Sequence, residues 1–294
     1  MTEIRPRRSV LSMPGSNARA LEKAGGLPCD VVLIDLEDAV APEAKGEARA
    51  RVAAAVSERR FGPREVVVRI NPLDGDHGED DLAALAPAVP DGILVPKVTG
   101  PEALVVVGSR LRRLKAQPGI RIWAMIESPL AILNLADIAS AARDVDVRLA
   151  GLVVGPNDLA KAARMRLAPG RAALMPWLMG VIAAARAYEI DAIDGIYNAF
   201  TDAEGFAEEC AQGRALGFDG KMLVHPDQIA AANAAFGPAP EEIAEAEALI
   251  AAFAAPENRG RGAIAFRGRM VERLHAEEAR RVLTLSEAIA RQGA

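Results

Sequence analysis

The chain has 294 residues, 51% of them hydrophobic, enough for one large α/β domain without forcing a second. A net charge of −5 and a pI near 5.5 argue against nonspecific nucleic-acid binding, and 4% aromatic residues leave little surface for base stacking. No apolar run of about 18 residues predicts a membrane span. The start, MTEIRPRRSVL, lacks the apolar stretch of a signal peptide, and Cys29 and Cys210 match no metal or redox motif, so a reducing, cytoplasmic setting is expected.

The first predicted strand is Arg8 to Met13 (RSVLSM), ending in Pro14-Gly15, and a short helix follows from Asn17 to Ala24 with Ser16 or Asn17 as its cap. Val31 to Leu36 (VVLIDL) reads as a strand buried on both faces and ends in Glu37-Asp38. Pro42 to Glu58 is helical in composition. Glu65 to Ile70 (EVVVRI) is the third strand, followed by a loop at Asp74 to Asp80 and a short helix at Leu82 to Val89. Gly92 to Val95 is the fourth strand, closed by Pro96-Lys97, and Pro101 to Lys115 is helical. IWAMI and LAGLVV are the fifth and sixth strands, with an amphipathic crossover helix between them. A long helix is expected at Arg171 to Glu189, then a strand at Ile190 to Ile193. A helix at Ala203 to Leu216 and a strand at Asp219 to Val224, ending in His225-Pro226, complete the pattern.

Eight strand–helix repeats in roughly the first 225 residues are the count of a TIM (β/α)8 barrel. A doubly wound open sheet is the runner-up. Its dinucleotide-binding form needs a glycine fingerprint after the first strand, and Pro14-Gly15-Ser16-Asn17-Ala18 does not supply one. Beyond the eighth strand, Pro240 to Ala254 is an Ala/Glu-rich helix, Asn258 to Gly268 holds a hairpin turn, and Leu274 to Arg291 is a charged helix. The expected division is a barrel at residues 1–256 and a C-terminal helical extension at 257–294.

The most informative stretch is Ile122 to Leu159. Glu127-Ser128 follows one apolar strand and Gly155-Pro156-Asn157-Asp158 the next. In α/β folds ligands bind at this end of the sheet. Two carboxylates delivered there without His or Cys suit a hard divalent cation such as Mg²⁺, so Glu127 and Asp158 are the expected metal pair. In a barrel the same face collects Glu37, Asp38, Arg69, Lys97 and His225. Arg69 follows three valines, where an unpaired charge is costly. Asp35 and Glu37 share one side of their strand and need cations nearby, which Arg69, Lys97 and a metal would supply. His77 and His275 read as solvated, and His225 as a structural residue of the strand end. No nucleophile elbow or Ser/His/Asp set is present, which disfavours acyl-enzyme chemistry.

Taken together, VVLIDLEDAVAPEAK, VVVRIN, ILVPKV, AMIESPLAI, GPNDLA and GFDGKMLVHPDQI resemble the HpcH/HpaI aldolase and citrate lyase β-subunit superfamily, in its CoA-ester branch. The resemblance runs from about Arg8 to Glu272. It implies a TIM barrel holding Mg²⁺ on Glu127 and Asp158, with Arg69 on a substrate oxygen. Glu37 and Asp38 would bond metal-bound waters, with Lys97 close by. Backbone N–H groups of Gly155, Pro156, Asn157 and Asp158 would take the substrate carboxylate, and Arg19 in the first loop would contact a CoA phosphate. A homotrimer or homohexamer is implied.

One departure stands out. Lyases of the family carry an Asp in a VDxP-like motif on the C-terminal segment, presented to a neighbouring subunit as acid/base. Here Glu272 stands at that place, in GRMVERLHAEEARRVL, with no following Pro. Glu is longer by one methylene, so its carboxylate reaches roughly 1.5 Å further, and a displacement of about 1 Å can cost on the order of a hundredfold in rate. This segment, with DGIYNAF at Asp194 to Phe200, is more similar to the malyl-CoA thioesterases. The expected reaction is therefore hydrolysis of a β-hydroxyacyl-CoA such as (S)-malyl-CoA, with Glu272 or another carboxylate activating water. The alternative is C–C cleavage to acetyl-CoA and an α-oxo acid such as glyoxylate, with Arg69 stabilising the enolate and Glu272 protonating it. Two remoter readings are a β-subunit homologue active only inside a complex, against which the intact Glu127, Asp158 and Arg69 set speaks, and an aldolase acting on free pyruvate.

Overall fold

A computed structural model describes residues 4–293. Eight parallel strands close into a barrel in sequence order, β1 (Ser9–Pro14), β2 (Val31–Asp35), β3 (Glu65–Arg69), β4 (Gly92–Val95), β5 (Arg121–Ile126), β6 (Leu149–Val154), β7 (Asp191–Asp194) and β8 (Gly220–Leu223), with β8 pairing back onto β1. Helices alternate with them: α1 (Ala18–Ala24), α2 (Lys45–Ser57), α3 (Gly78–Ala88), α4 (Pro101–Arg113), α5 (Pro129–Leu133), α6 (Leu135–Ser140), α7 (Pro156–Ala163), α8 (Met175–Ala187), α9 (Ala203–Leu216) and α10 (Ile229–Phe236). The TIM barrel expected from the sequence is the observed fold.

The chain divides into two compact units, Arg7–Asn233, which holds the barrel, and a second built on the chain from Ala234 onward. The second contains α11 (Pro240–Ala254), a hairpin of β9 (Ala263–Phe266) and β10 (Arg269–Glu272), and α12 (Arg273–Gly293). Arg267 and Gly268 both take positive φ, as a two-residue hairpin turn requires. Ile264, Phe266 and Val271 alternate inward onto Leu249 and Ala279, while Met270 and Glu272 face outward.

The same alternation positions the site. Val31 and Leu33, Val67, Leu94, Trp123 and Met125, and Val153 fill the barrel interior. Two residues further along β2, β3, β5 and β6, the inward position falls on Asp35, on Arg69, on Glu127 and on Gly155. Thus the apolar periodicity that builds the core also carries these residues to the C-terminal mouth of the barrel.

Three expectations differ from the structure. The crossover between β5 and β6 is two short helices, α5 and α6, because the segment breaks at Asn134. The helix expected at Leu82 begins at Gly78, where Glu79, Asp80 and Asp81 favour the positive end of the helix dipole. The helix expected from Arg171 begins at Met175, since Arg171 has positive φ and turns inward to Asp194. Among the described residues, no helix is long and apolar enough to cross a membrane.

Candidate active site

Arg69 occupies the centre of the mouth. Its Nε donates to Asp35 Oδ1 at 2.8 Å and its Nη2 to Asp35 Oδ2 at 2.5 Å, a fork in which the carboxylate neutralises the guanidinium. Its Nη1 lies 3.1 Å from Glu37 Oε2 and 3.9 Å from Asp38 Oδ2. Asp35 also accepts from the N–H groups of Glu37 and Ala39, so it holds the turn that presents Glu37 and Asp38. A second brace lies behind that turn. Lys45 Nζ donates to the carbonyls of Leu36 and Glu37 and to Asn71 Oδ1, and Asn71 in turn is held by Asp81. Lys45, Asn71 and Asp81 had no assigned role at the sequence level. The visible signal was Asn71, a polar residue directly after a β strand and buried here.

Glu127 follows β5 with its side chain almost wholly enclosed. One oxygen, Oε1, accepts from Lys97 N–H at 2.6 Å, and Lys97 adopts φ +53° to make that contact. The other, Oε2, is buried with no hydrogen-bond partner. Gly155 gives it room, because a Cβ there would lie 2.6 Å from Glu127 Cβ and 3.0 Å from Oε2. Asp158 stands in the first turn of α7, half exposed, facing the same space. Lys97 Nζ is 3.5 Å from both Asp38 Oδ2 and Asp158 Oδ2, and 3.7 Å from Glu37 Oε1 and Glu127 Oε1.

The electrostatics follow from burial and crowding. Burial pushes the Glu37 carboxyl up to about 7 against the pull of Arg69, with Asp38 pushing the same way. Partial burial opposes ionisation of Asp38, but its hydrogen bond with Glu37 and the charges of Lys97 and Arg69 prevail and hold it below the usual carboxylate range. Burial raises the Glu127 carboxyl, with Lys97 opposing and Asp158 reinforcing.

Of the backbone donors expected at Gly155 to Asp158, two are ruled out. Gly155 N–H is donated to Ile126 O at 2.9 Å, and Pro156 has no N–H. Asn157 and Asp158 remain, at the N-terminus of α7 where helix geometry leaves N–H groups without intrahelical acceptors. The Asn157 side chain exchanges hydrogen bonds with Asn198 at 2.8 and 3.3 Å, tying α7 to the DGIYNAF loop after β7. His225 caps the turn after β8, accepts from Asp227 N–H, and stacks on Phe200 with ring centroids 5.3 Å apart. Arg19 is exposed on α1. Glu272 lies in the second unit, exposed at the end of β10, its N–H donating to His275 Nδ1.

Among the described residues, no group of three or more His, Cys, Asp or Glu side chains forms a metal-ligand set. The chemistry of the mouth nevertheless fits a hard divalent cation. Asp35, Glu37, Asp38, Glu127 and Asp158 oppose only Arg69 and Lys97, a surplus of negative charge when all are ionised. A buried carboxylate oxygen is left unpartnered, and Mg²⁺ commonly takes only one or two carboxylates and keeps several waters.

The comparisons with known proteins bear on this site. The family model HpcH/HpaI aldolase/citrate lyase matches residues 8–226, and the chain belongs to that family. It is 44% identical over 288 residues to a (3S)-malyl-CoA thioesterase of Cereibacter sphaeroides, covering 98% of this chain and 97% of the relative. It is 30% identical to the mitochondrial citramalyl-CoA lyase of Homo sapiens, covering 97% of this chain and 86% of the relative. A crystal structure of protein CitE from Mycobacterium tuberculosis in complex with magnesium, acetoacetate and coenzyme A superposes with TM-score 0.75 at 28% identity, over 95% of this chain and 97% of that one.

Proposed function

We propose that the chain is a Mg²⁺-dependent (3S)-malyl-CoA thioesterase, releasing malate and free CoA. The observation that carries this reading is the 44% identity to a (3S)-malyl-CoA thioesterase over nearly the full length of both chains. Glu127 and Asp158 would hold the metal, which as a Lewis acid supplies charge stabilisation to the bound acyl group. Arg69, fixed by Asp35, would present its Nη1 edge to a substrate oxygen. Asn157 and Asp158 N–H groups would receive the acyl carboxylate, Glu37 and Asp38 would orient water, and Lys97 and Arg19 would meet anionic parts of the substrate. The same proposal places the chain in the cytoplasm.

Glu272 would serve in a neighbouring barrel as the residue that activates water, making the protein a homotrimer or homohexamer. Its exposed, outward position on the hairpin is consistent with that use. Glu272→Ala should lower turnover while leaving Mg²⁺ affinity unchanged. Mixing Glu272→Ala with Glu127→Gln protein, each poorly active, should restore part of the activity. No recovery in the mixture would place Glu272 in its own barrel or outside the reaction.

The test of the activity is a product assay on (S)-malyl-CoA with Mg²⁺, following free thiol and glyoxylate in parallel. Thiol without glyoxylate is expected. Glyoxylate without thiol would overturn hydrolysis in favour of C–C cleavage, the reaction class of the lyase relative.

A further inference from the structure

Three lysines of the barrel unit place their head groups among oxygen atoms, and they are of two kinds. Lys45 Nζ donates at 2.7 Å to Asn71 Oδ1, 2.9 Å to Glu37 O and 3.0 Å to Leu36 O. Lys221 Nζ donates at 2.5 Å to Gly195 O, 2.7 Å to Glu209 Oε1 and 3.0 Å to Asp194 Oδ2. Both are buried and latched by directed bonds. Lys97 is neither. Its side chain is 41% exposed, and its ammonium sits 3.5 to 3.7 Å from four carboxylates that follow three different strands, β2, β5 and β6. A charge-assisted bond is about 2.7–2.9 Å long. Lys97 is therefore held by the field of the cage and not by any one partner.

We propose that the Lys97 ammonium is the resident counter-ion of this carboxylate cage and that a divalent cation displaces it, so that metal binding is an exchange of cations and Lys97 sets the affinity. The inference rests on the reading of Glu127 and Asp158 as metal ligands. Arg69 cannot do this work, because its fork is committed to Asp35. Without Lys97, Glu37, Asp38, Glu127 and Asp158 would share Arg69's remaining edge. The backbone of Lys97 stays in place in either state, since its N–H is bonded to Glu127 Oε1 at 2.6 Å. The four-methylene side chain then swings toward solvent without breaking any contact shorter than 3.5 Å. Leaving breaks no short directed bond and forfeits only the ammonium's attraction to the carboxylates, and a doubly charged ion in the same field gains about twice that Coulomb energy. The displaced ammonium remains at the mouth, where an anionic acyl group arrives.

The experiment is calorimetric titration of MgCl₂ into metal-stripped wild type, Lys97→Met, Lys97→Arg and Glu127→Gln, with thermal melts in the absence of metal. Lys97→Met keeps the length of the side chain and removes its charge. It should bind Mg²⁺ on the order of tenfold more tightly and, without metal, melt below wild type. Lys97→Arg should stay near wild type on both counts. Equal or weaker binding by Lys97→Met, or tightening by Lys97→Arg as well, overturns the exchange. The site reading survives those outcomes if wild type binds and Glu127→Gln does not. Wild type that binds no Mg²⁺, or Glu127→Gln that binds as wild type does, overturns both.

Discussion

The two ends of the barrel are built from the same residue types and use them in opposite ways. At the N-terminal end, Arg7 fills the bottom. Its Nε and Nη2 each meet a Glu65 oxygen at 2.7 Å, its Nη1 meets Asp191 Oδ2 at 2.7 Å, and its guanidinium lies 4.7 Å above the Trp123 ring. Burial works against that charge, but Glu65 and Asp191 outweigh it, and the Arg7 guanidinium is held even more firmly protonated than usual. In the Arg69–Lys97 cage at the C-terminal mouth, only the Arg69–Asp35 fork is that tight. The remaining ion contacts run from 3.1 to 3.9 Å, negative charge is in surplus, and Glu127 Oε2 has no partner. Ions that only hold a fold satisfy one another. Ions that await a ligand leave charge and hydrogen-bonding capacity unspent.

The largest expected effect is at the open end. Glu127→Gln keeps an acceptor for Lys97 N–H and removes the charge beside the unpartnered oxygen. Turnover should fall by about a thousandfold, the several kcal/mol that a catalytic metal supplies, while urea unfolding of the metal-free protein changes little or shows a gain. Turnover within a few-fold of wild type would make this end no different from the other. At the closed end the pattern should invert. Arg7→Met leaves the buried Glu65 and the part-buried Asp191 without their shared partner, and breaking a buried pair such as Arg7–Glu65 costs about 3–5 kcal/mol. Unfolding by urea should show that loss, and kcat per folded molecule should be unchanged. A variant with normal stability and lost activity would erase the distinction between the ends.

The open end was legible from the sequence because its determinants are local. Arg69 after three valines, Glu127 after IWAMI and Asp158 after LAGLVV all reveal themselves by where an apolar run stops. Eight such runs also gave the barrel and its order. The closed end was not legible, since Arg7, Glu65 and Asp191 are separated by up to 184 residues and meet only once the barrel closes. The same holds for Lys221, which reads as one polar residue in a short strand and proves to be a buried member of a network with Asp194 and Glu209. The expected backbone donors at positions 155 and 156 are missing for nearer reasons, since Pro156 has no N–H to give. A strand end still pairs with its neighbour, and Gly155 N–H belongs to the β5–β6 ladder. What Gly155 contributes instead is the space its missing Cβ leaves for Glu127.

The smallest effect separates the ends by pH. Burial raises the Glu37 carboxyl from the ordinary 4.5 to about 7, with Arg69 opposing. The folded metal-free protein therefore binds this proton more tightly than the unfolded chain does. Below about 4.5 both states are protonated and the contribution is fully present. As pH rises toward about 7 the unfolded chain ionises first, so stability falls, and above 7 the loss is complete. Glu37→Gln is neutral throughout and removes this slope, whatever constant offset it introduces by losing the contact with Arg69 Nη1. Urea midpoints across that window should show wild type losing stability relative to Glu37→Gln by a few kcal/mol at most. Saturating Mg²⁺ should flatten the wild-type curve toward that of the variant, because a nearby cation favours the ionised carboxylate and moves its titration below the window. Parallel curves for wild type and Glu37→Gln without metal would mean that Arg69 and Lys97 already balance Glu37 as fully as Glu65 and Asp191 balance Arg7. The open end would then hold no unspent charge at that position.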